Sequence, residues 1–542
     1  MGLRSHEQLV VFVGVLFLLT VCITAFFFLP NTSPDLYLRA DDSQHHDHVR
    51  DAGLRREIQQ RDKEELRRKI EQEVPVPIAK PEIGAGDDPE GKRAFVKQMI
   101  KFAWDGYKKY AWGENELRPN SQIGHSQSVF GFGKTGATIF DSLDTLYIVG
   151  MKEEYEDARE WVKNFDFKAN AKGFISVFET NIRFVGGLLA AYALTHDPMY
   201  IEKAEDIAKE LLPAFDTPTG IPLALINTET GVAKNFDWSM SMSLLSEFGS
   251  LQLEFDYLSN ITKNPIYNDK VLKVRDVLTS LEKPKGLYPI YLNPKSGKWG
   301  MNHVSTGAMA DSFYEYLLKQ WLMTGKTDNR TKREYDEAVK AIEENMLFKS
   351  TPGGLWYFGA LKRSVAEHKM EHLGCFIGGM FALQALNEED VDVKRHYLEL
   401  AEKVGETCHE SYARTATGIG PESFYFTGKQ EATSSRRQDR FYILRPEVVE
   451  TWFYLWRATK NPIYRQWAWE HVQHLEKYCK GTSGYSGIDD VDSSDPTQDD
   501  VQQSFLIAEL FKYLYLIFSE DDVISLDKYV FNTEAHPFPI RN

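Results

Sequence analysis

Thr459-Lys460-Asn461-Pro462-Ile463-Tyr464 has two near-copies in the chain, Thr262-Lys263-Asn264-Pro265-Ile266-Tyr267 and Thr195-His196-Asp197-Pro198-Met199-Tyr200. Each has helix-start grammar: Asp or Asn offers an oxygen to the first free amides, and Pro, with no amide hydrogen to lose, suits the first helical position. Weaker turns of the same role fall near Gly150-Met151-Lys152, Gly325-Lys326-Thr327, Asn387-Glu388-Glu389 and Ser519-Glu520-Asp521. That makes seven turns, spaced by roughly 45 to 70 residues, as repeated helix pairs require. Between them run segments of helical period, such as Phe95-Val96 to Ile100, Phe102-Ala103-Trp104, Tyr107 and Tyr110-Ala111-Trp112. A helix pair that cannot bury its face alone must stack into a solenoid or close into a ring. The intervals include loops too long and varied for a regular solenoid, so the pattern predicts an all-α toroid with its functional loops gathered at one end.

At 542 residues the chain exceeds one ordinary core. A formal charge of −16 argues against nucleic acid or an anionic membrane surface as partner, since both select basic faces. Aromatic residues at 13% suit a helical core and also faces that stack on carbohydrate.

Residues 9–29 hold no charged side chain and are about as long as the 20 residues that cross a bilayer. Phe26-Phe27-Phe28-Leu29-Pro30 offers no small-residue cleavage site, so the run is expected to remain as a transmembrane signal anchor. Residues 1–8 would then be a short cytoplasmic tail, and the sequons at Asn31, Asn260 and Asn329 would all be lumenal. Residues 30–93, rich in His, Asp, Arg and Gln and without an aromatic after Tyr37, read as a lumenal stem. The helical domain is expected over 94–542. Cys22 lies in the apolar run, which leaves Cys375, Cys408 and Cys479 for one bridge and one free thiol. Parity does not choose the pair, but so few cysteines exclude a disulfide scaffold or a Cys-rich zinc module.

Several acids sit in apolar company, where a solvated charge does not belong. Glu179 and Arg183, in Val177-Phe178-Glu179-Thr180-Asn181-Ile182-Arg183-Phe184, are four apart on one helix face, as an ordinary ion pair also would be. Asp311 and Glu315, in Ala310-Asp311-Ser312-Phe313-Tyr314-Glu315-Tyr316, share a face and repel unless a cation, an Arg or a shared proton intervenes. Arg445-Pro446-Glu447-Val448-Val449-Glu450 opens a helix with two acids in its first turns, where the helix dipole favours them. Glu509 lies in Phe505-Leu506-Ile507-Ala508-Glu509-Leu510-Phe511-Lys512, with Lys512 as the plain i,i+3 partner. His372 has the surroundings of a satisfied core histidine. No Gly-x-Ser-x-Gly, His-Glu-x-x-His, phosphate loop or EF-hand loop competes with these acids. Carboxylates projecting into the centre of a ring suit glycoside hydrolysis, which needs an acid for the leaving oxygen and a base or nucleophile across the sugar. The C-terminal Phe531-Asn532-Thr533-Glu534-Ala535-His536-Pro537-Phe538 sets ligand types between aromatics and prolines, which suggests a tail tucked inside.

Taken together and in this order, the segments around Glu179, Asp311, Arg445-Pro446-Glu447, Glu509 and Phe531–Pro537 resemble the class I α-1,2-mannosidases of glycoside hydrolase family 47, from about residue 94 to the end. The resemblance implies an (α/α)7 barrel plugged by the C-terminal segment, one Ca²⁺ held by the hydroxyl and carbonyl of Thr533, and inverting hydrolysis of high-mannose N-glycans. It implies Glu447 as base and Glu179 as acid, acting through water, with Asp311 as its rival. Arg183, His372, Glu422, Arg445 and Phe505 match pocket positions, Phe505 as an apolar platform. Glu450, Glu509 and Glu534 would orient water around the calcium, and Cys375 and Cys408 would form the bridge. Met309 stands where the endoplasmic reticulum type has Arg, so the resemblance is to the Golgi members, with less branch selectivity expected. Leu510 departs from the family's usual Thr, which bears on helix packing there. A lectin-like relative that binds high-mannose glycans without cutting them is the alternative from another class.

Overall fold

The computed structural model describes residues 88–126 and 129–541. The expected membrane span at 9–29, Asn31 and nearly all of the stem lie outside them. Among the described residues no helix is long and apolar enough to cross a membrane.

Among the described residues fourteen helices have seven or more residues. They are α1 (Pro89–Tyr110), α2 (Ala137–Ile148), α3 (Lys152–Asn164), α4 (Gly186–Thr195), α5 (Met199–Leu211), α6 (Gln252–Thr262), α7 (Ile266–Ser280), α8 (Asp311–Met323), α9 (Asn329–Met346), α10 (Phe376–Asn387), α11 (Val391–Ala413), α12 (Glu447–Thr459), α13 (Ile463–His474) and α14 (Phe511–Ile517). The first starts at Pro89, before the expected boundary at residue 94. Even-numbered helices touch in sequence from α2 to α14, and the turn Leu506–Leu510 that leads into α14 touches α2, so the inner row closes. Each odd-numbered helix packs outside, against the inner helix of its own pair.

Burial follows from that arrangement. Outer α3 buries only Tyr155, Ala158 and Val162 along one stripe, whereas inner α8 is buried continuously from Ser312 to Met323. The three near-identical turns fold alike. Thr195, Thr262 and Thr459 each donate a hydroxyl to the carbonyl four residues back, at 2.6, 2.7 and 2.7 Å. Residues His196, Lys263 and Lys460 follow in the left-handed region, and Asp197, Asn264 and Asn461 accept from the amide two residues on. Each Pro has helical φ and ψ, although the regular helix begins one residue later. Six of the seven expected turns join an inner helix to its outer partner. The seventh, after α14, leads to the tail, because the partner of α14 is α1 from the other end of the chain.

Short antiparallel ladders lie between the hairpins, among them Phe174–Ser176 with Leu225–Asn227 and Lys369–Glu371 with Ser423–Tyr425. The last is the tail itself, Tyr529–Phe531 paired with Pro537–Pro539, which packs on α8 and α4. Phe531, Asn532, Glu534, His536 and Phe538 are buried there, so the tail is tucked inside, as its residue types suggest. Gly186 allows the approach: a Cβ at that position would lie 2.7 Å from Asn532 Nδ2.

Candidate active site

The irregular turns of the inner row carry the charged groups. Thr180–Val185 and Leu506–Leu510 are both π-helical, a winding that recurs at functional sites because it re-aims the side chains of one turn. In the first, Arg183 Nε donates to Glu179 Oε2 at 2.8 Å, so the ion pair exists. The guanidinium also bonds Glu534, reaches Ser504 Oγ at 3.2 Å and Asp141 at 3.5 Å, and lies 5.5 Å from the Phe505 ring centre. Burial would lower its pKa, but Glu179, Glu534 and Asp141 outweigh that and hold it firmly charged.

Asp311 is the first residue of α8, with Ala310 at the cap position, and its Oδ1 takes the amide of Ser312 at 2.8 Å. The residue is half-buried, and burial of its carboxyl raises its pKa to about 8 against the Ser312 amide bond, with Glu315, Glu447 and Glu371 adding to the rise. The cation that the Asp311–Glu315 spacing demands is Lys319, one turn on, which bonds Glu315 and lies 3.9 Å from Glu450. Glu450 nevertheless rises to about 8, from burial opposed by Lys319 and reinforced by Glu315 and Glu447.

Pro446 and the start of α12 present Glu447 as expected. His372, wholly buried, meets Glu447 Oε2 through Nδ1 at 2.8 Å and the Tyr412 hydroxyl through Nε2 at 2.6 Å. It is thus both a satisfied core histidine and a partner of the candidate base. Burial alone would raise the Glu447 pKa, but the His372 hydrogen bond and charge, with Arg445 beyond, hold it below the usual glutamate range. Arg445 grips Glu422 through two bonds of 2.5 and 2.7 Å, and the His372 amide donates to the Glu422 carbonyl at 2.9 Å.

The tail brings groups that the sequence reading did not assign. His536 Nδ1 lies 3.1 Å from Asp144 Oδ1, and Lys512 donates to Asp144 and to the Ala535 carbonyl at 2.6 Å each. Lys512 therefore serves Asp144 and the tail, not Glu509 as its spacing suggested. Asp141 and Asp144 had a signal, two acids three apart in Phe140-Asp141-Ser142-Leu143-Asp144, and both are fully buried. Glu509 is pushed up by burial and by Glu534, Glu447 and Glu450 around it; Glu534 is pushed up by burial despite Arg183.

Among the site residues, Glu179, Asp311, Glu447 and Thr533 are each half-buried, while Glu422, Glu450, Glu509, Glu534 and His372 are buried. Among the described residues no group of three or more His, Cys, Asp or Glu has the arrangement of metal ligands. The bridge joins Cys375 to Cys408, and Cys479 is a buried free thiol.

Residues 99–540 match the family model described as Glycosyl hydrolase family 47. A mannosyl-oligosaccharide α-1,2-mannosidase IA of Drosophila melanogaster is 54% identical over 83% of this chain and 68% of its own length. The human mannosyl-oligosaccharide 1,2-α-mannosidase IB is 52% identical over 86% of this chain and 73% of its own. Among solved structures, an α-1,2-mannosidase from Trichoderma reesei superposes with a TM-score of 0.76 at 28% identity, covering 84% of this chain and all of that one.

Proposed function

The chain belongs to glycosyl hydrolase family 47, and from that premise we propose how its ring removes mannose. It is a mannosyl-oligosaccharide 1,2-α-mannosidase, which hydrolyses terminal α-1,2-linked mannose from high-mannose N-glycans. The closed inner row is read as the (α/α)7 barrel of that family, and the plug as its floor. The observation that carries the site is the pattern of exposure: among the assigned acids and the metal residue, Glu179, Asp311, Glu447 and Thr533 are half-buried while Glu422, Glu450, Glu509 and Glu534 are buried.

Glu447 is the base. Held ionised by His372 and Arg445, it takes a proton from a water on the face of the sugar opposite the leaving oxygen, and single displacement inverts the anomeric centre. Glu179, in its acid form, gives its proton through a bound water to the leaving oxygen and is left as the carboxylate, its side chain positioned by Arg183. Asp311 is the rival donor, supported by a carboxyl that holds its proton at neutral pH. The Asp311→Asn and Glu179→Gln variants separate them: an activated aryl leaving group, which needs no protonation, restores the rate only of the donor's variant. Arg183, Arg445 and Phe505 line the pocket, with Glu422 holding Arg445 from behind and Phe505 offering its ring to a sugar face.

The donor set fits a hard divalent cation. Thr533 offers a hydroxyl and a carbonyl, and burial, with Glu534, Glu447 and Glu450 nearby, pushes the Glu509 pKa up, a crowding of acids that a cation relieves. Calcium bound there would supply oxygen coordination for sugar hydroxyls and water. Glu450, Glu509 and Glu534 would orient those waters from outside. The uncharged run at 9–29 and Met309 in place of Arg support a single-pass type II Golgi membrane protein with its barrel lumenal. Free mannose released from Man9GlcNAc2 by residues 88–542, and lost on adding a chelator, is the expected result. Glycan binding without release under both conditions would refute hydrolysis and favour the lectin reading.

A further inference from the structure

Glu254, on the inner helix α6, is fully buried and lies outside the set of acids just assigned. Its Oε1 accepts from the Tyr316 hydroxyl at 2.7 Å and from Asn532 Nδ2 at 2.8 Å; its Oε2 accepts from Asn181 Nδ2 at 2.8 Å. These three donors come from three different elements. Asn181 sits in the π turn between Glu179 and Arg183. Tyr316 follows Glu315 on α8, five residues after Asp311. Asn532 precedes Thr533 in the tail.

The bonds continue beyond the carboxylate. Asn532 Nδ2 also donates to the Ile182 carbonyl at 2.9 Å, and its Oδ1 takes the amides of Glu534 and His536 at 2.9 and 2.8 Å. The Tyr316 hydroxyl, having given its hydrogen to Glu254, accepts the Thr533 amide at 3.4 Å. Asn532 and Tyr316 are thus held as donors toward Glu254 by their other bonds, and Asn181 gives its Nδ2 to the second oxygen. An acceptor-only group with two oxygens is the one side chain of this length that satisfies all three.

We propose that Glu254 is the positioning residue that locks the tail turn Asn532–His536 to the π turn of Glu179 and to α8, so that Thr533 faces the cleft in register with Glu179 and Asp311. It touches neither substrate nor metal; it acts through Asn532 and Tyr316. The proposal rests on Thr533 as the calcium residue for one of its readouts and is independent of that reading for the other.

Glu254→Gln keeps the volume and replaces one acceptor oxygen with a donor, which must face Asn181 or the Asn532–Tyr316 pair. Hydrogen exchange of the amides from Thr533 to His536 should speed up at least tenfold relative to wild type. The calcium Kd, read by equilibrium dialysis, should rise on the order of tenfold, as for loss of other groups that orient a metal's ligands. Tyr316→Phe, which removes one hydroxyl and keeps the ring, should move both readouts the same way by less, and it serves as the test if Glu254→Gln does not fold. Glu334→Gln is the control for general loosening: that buried carboxylate joins Arg275 and Thr279 on the outer row, and its loss should leave tail exchange and calcium affinity unchanged. Unchanged tail exchange in both Glu254→Gln and Tyr316→Phe would overturn the proposal. Faster tail exchange in a protein whose wild type binds no calcium would keep the lock and instead refute Thr533 as the metal residue.

Discussion

Replacing His372 with Phe should move the acid limb of the pH profile. The imidazole and the Glu447 carboxylate meet at 2.8 Å with His372 wholly buried, so the bond is charge-assisted when both groups are ionised and poorly screened by water. A hydrogen bond to a charged group contributes about 1.5–3 kcal/mol, and one pKa unit corresponds to about 1.36 kcal/mol. Loss of the bond should therefore raise the Glu447 pKa by about one to two units. The sign follows from the role: a base works deprotonated, and its pKa is depressed in the native protein, so raising it makes activity fail at higher pH as the solution is acidified. The assay is kcat/KM for mannose release across the acid range, which reports the free enzyme. Phe fills the ring's space but leaves the Tyr412 hydroxyl without its hydrogen-bond partner, so a uniform fall in rate is expected as well. His372→Gln, able to donate to Glu447 through its amide, should recover part of the shift. A uniform fall with the acid limb unmoved in both variants would refute Glu447 as the titrating base or His372 as the group that holds it ionised.

Lys512→Met should destabilise the domain by about 3–5 kcal/mol in urea unfolding, because Asp144 would remain buried beside its lost cation while the Ala535 carbonyl loses a donor. Asp144 is pulled down against burial by Lys512 and His536, so its stabilisation is present above the ordinary aspartate range and lost as pH falls through the lowered value; His536 is raised by Asp144 and Asp141 against burial, so its part is lost as pH rises through the raised value. His536→Gln should remove the second dependence, seen as a flatter alkaline side in thermal unfolding. The Cys375–Cys408 bridge closes a separation of 33 residues, worth about 3–4 kcal/mol in chain entropy, and the double Ser variant should unfold at correspondingly lower denaturant. Calcium at about 100 times its Kd should raise the unfolding free energy by about 2.7 kcal/mol, an increment that Thr533→Val loses.

Local grammar told most of the fold. Thr459-Lys460-Asn461-Pro462 and its two copies wrote their turn geometry in side chains that bond their own backbone, so three hairpins were legible without knowing what they packed against, and weaker turn residues marked three more. The pairing of α14 with α1 was not, because it joins distant stretches of chain and no turn announces it. The acids were visible because charge in apolar company stands out; their partners were not, because Lys319, Ser504 and Lys512 look ordinary until the ring brings them inward. Lys512 shows why spacing failed. An i,i+3 rule assumes about 100° per residue, and the π turn Leu506–Leu510 breaks that count just before Lys512, rotating Glu509 away and leaving Lys512 to Asp144 and the tail. The same winding at Thr180–Val185 directs Asn181 to Glu254 while Glu179 and Arg183 remain paired. Both departures from regular helix lie where acids face the ring's centre. The local irregularity that hid these contacts from spacing rules is therefore what lets one helix serve the cleft and the tail together.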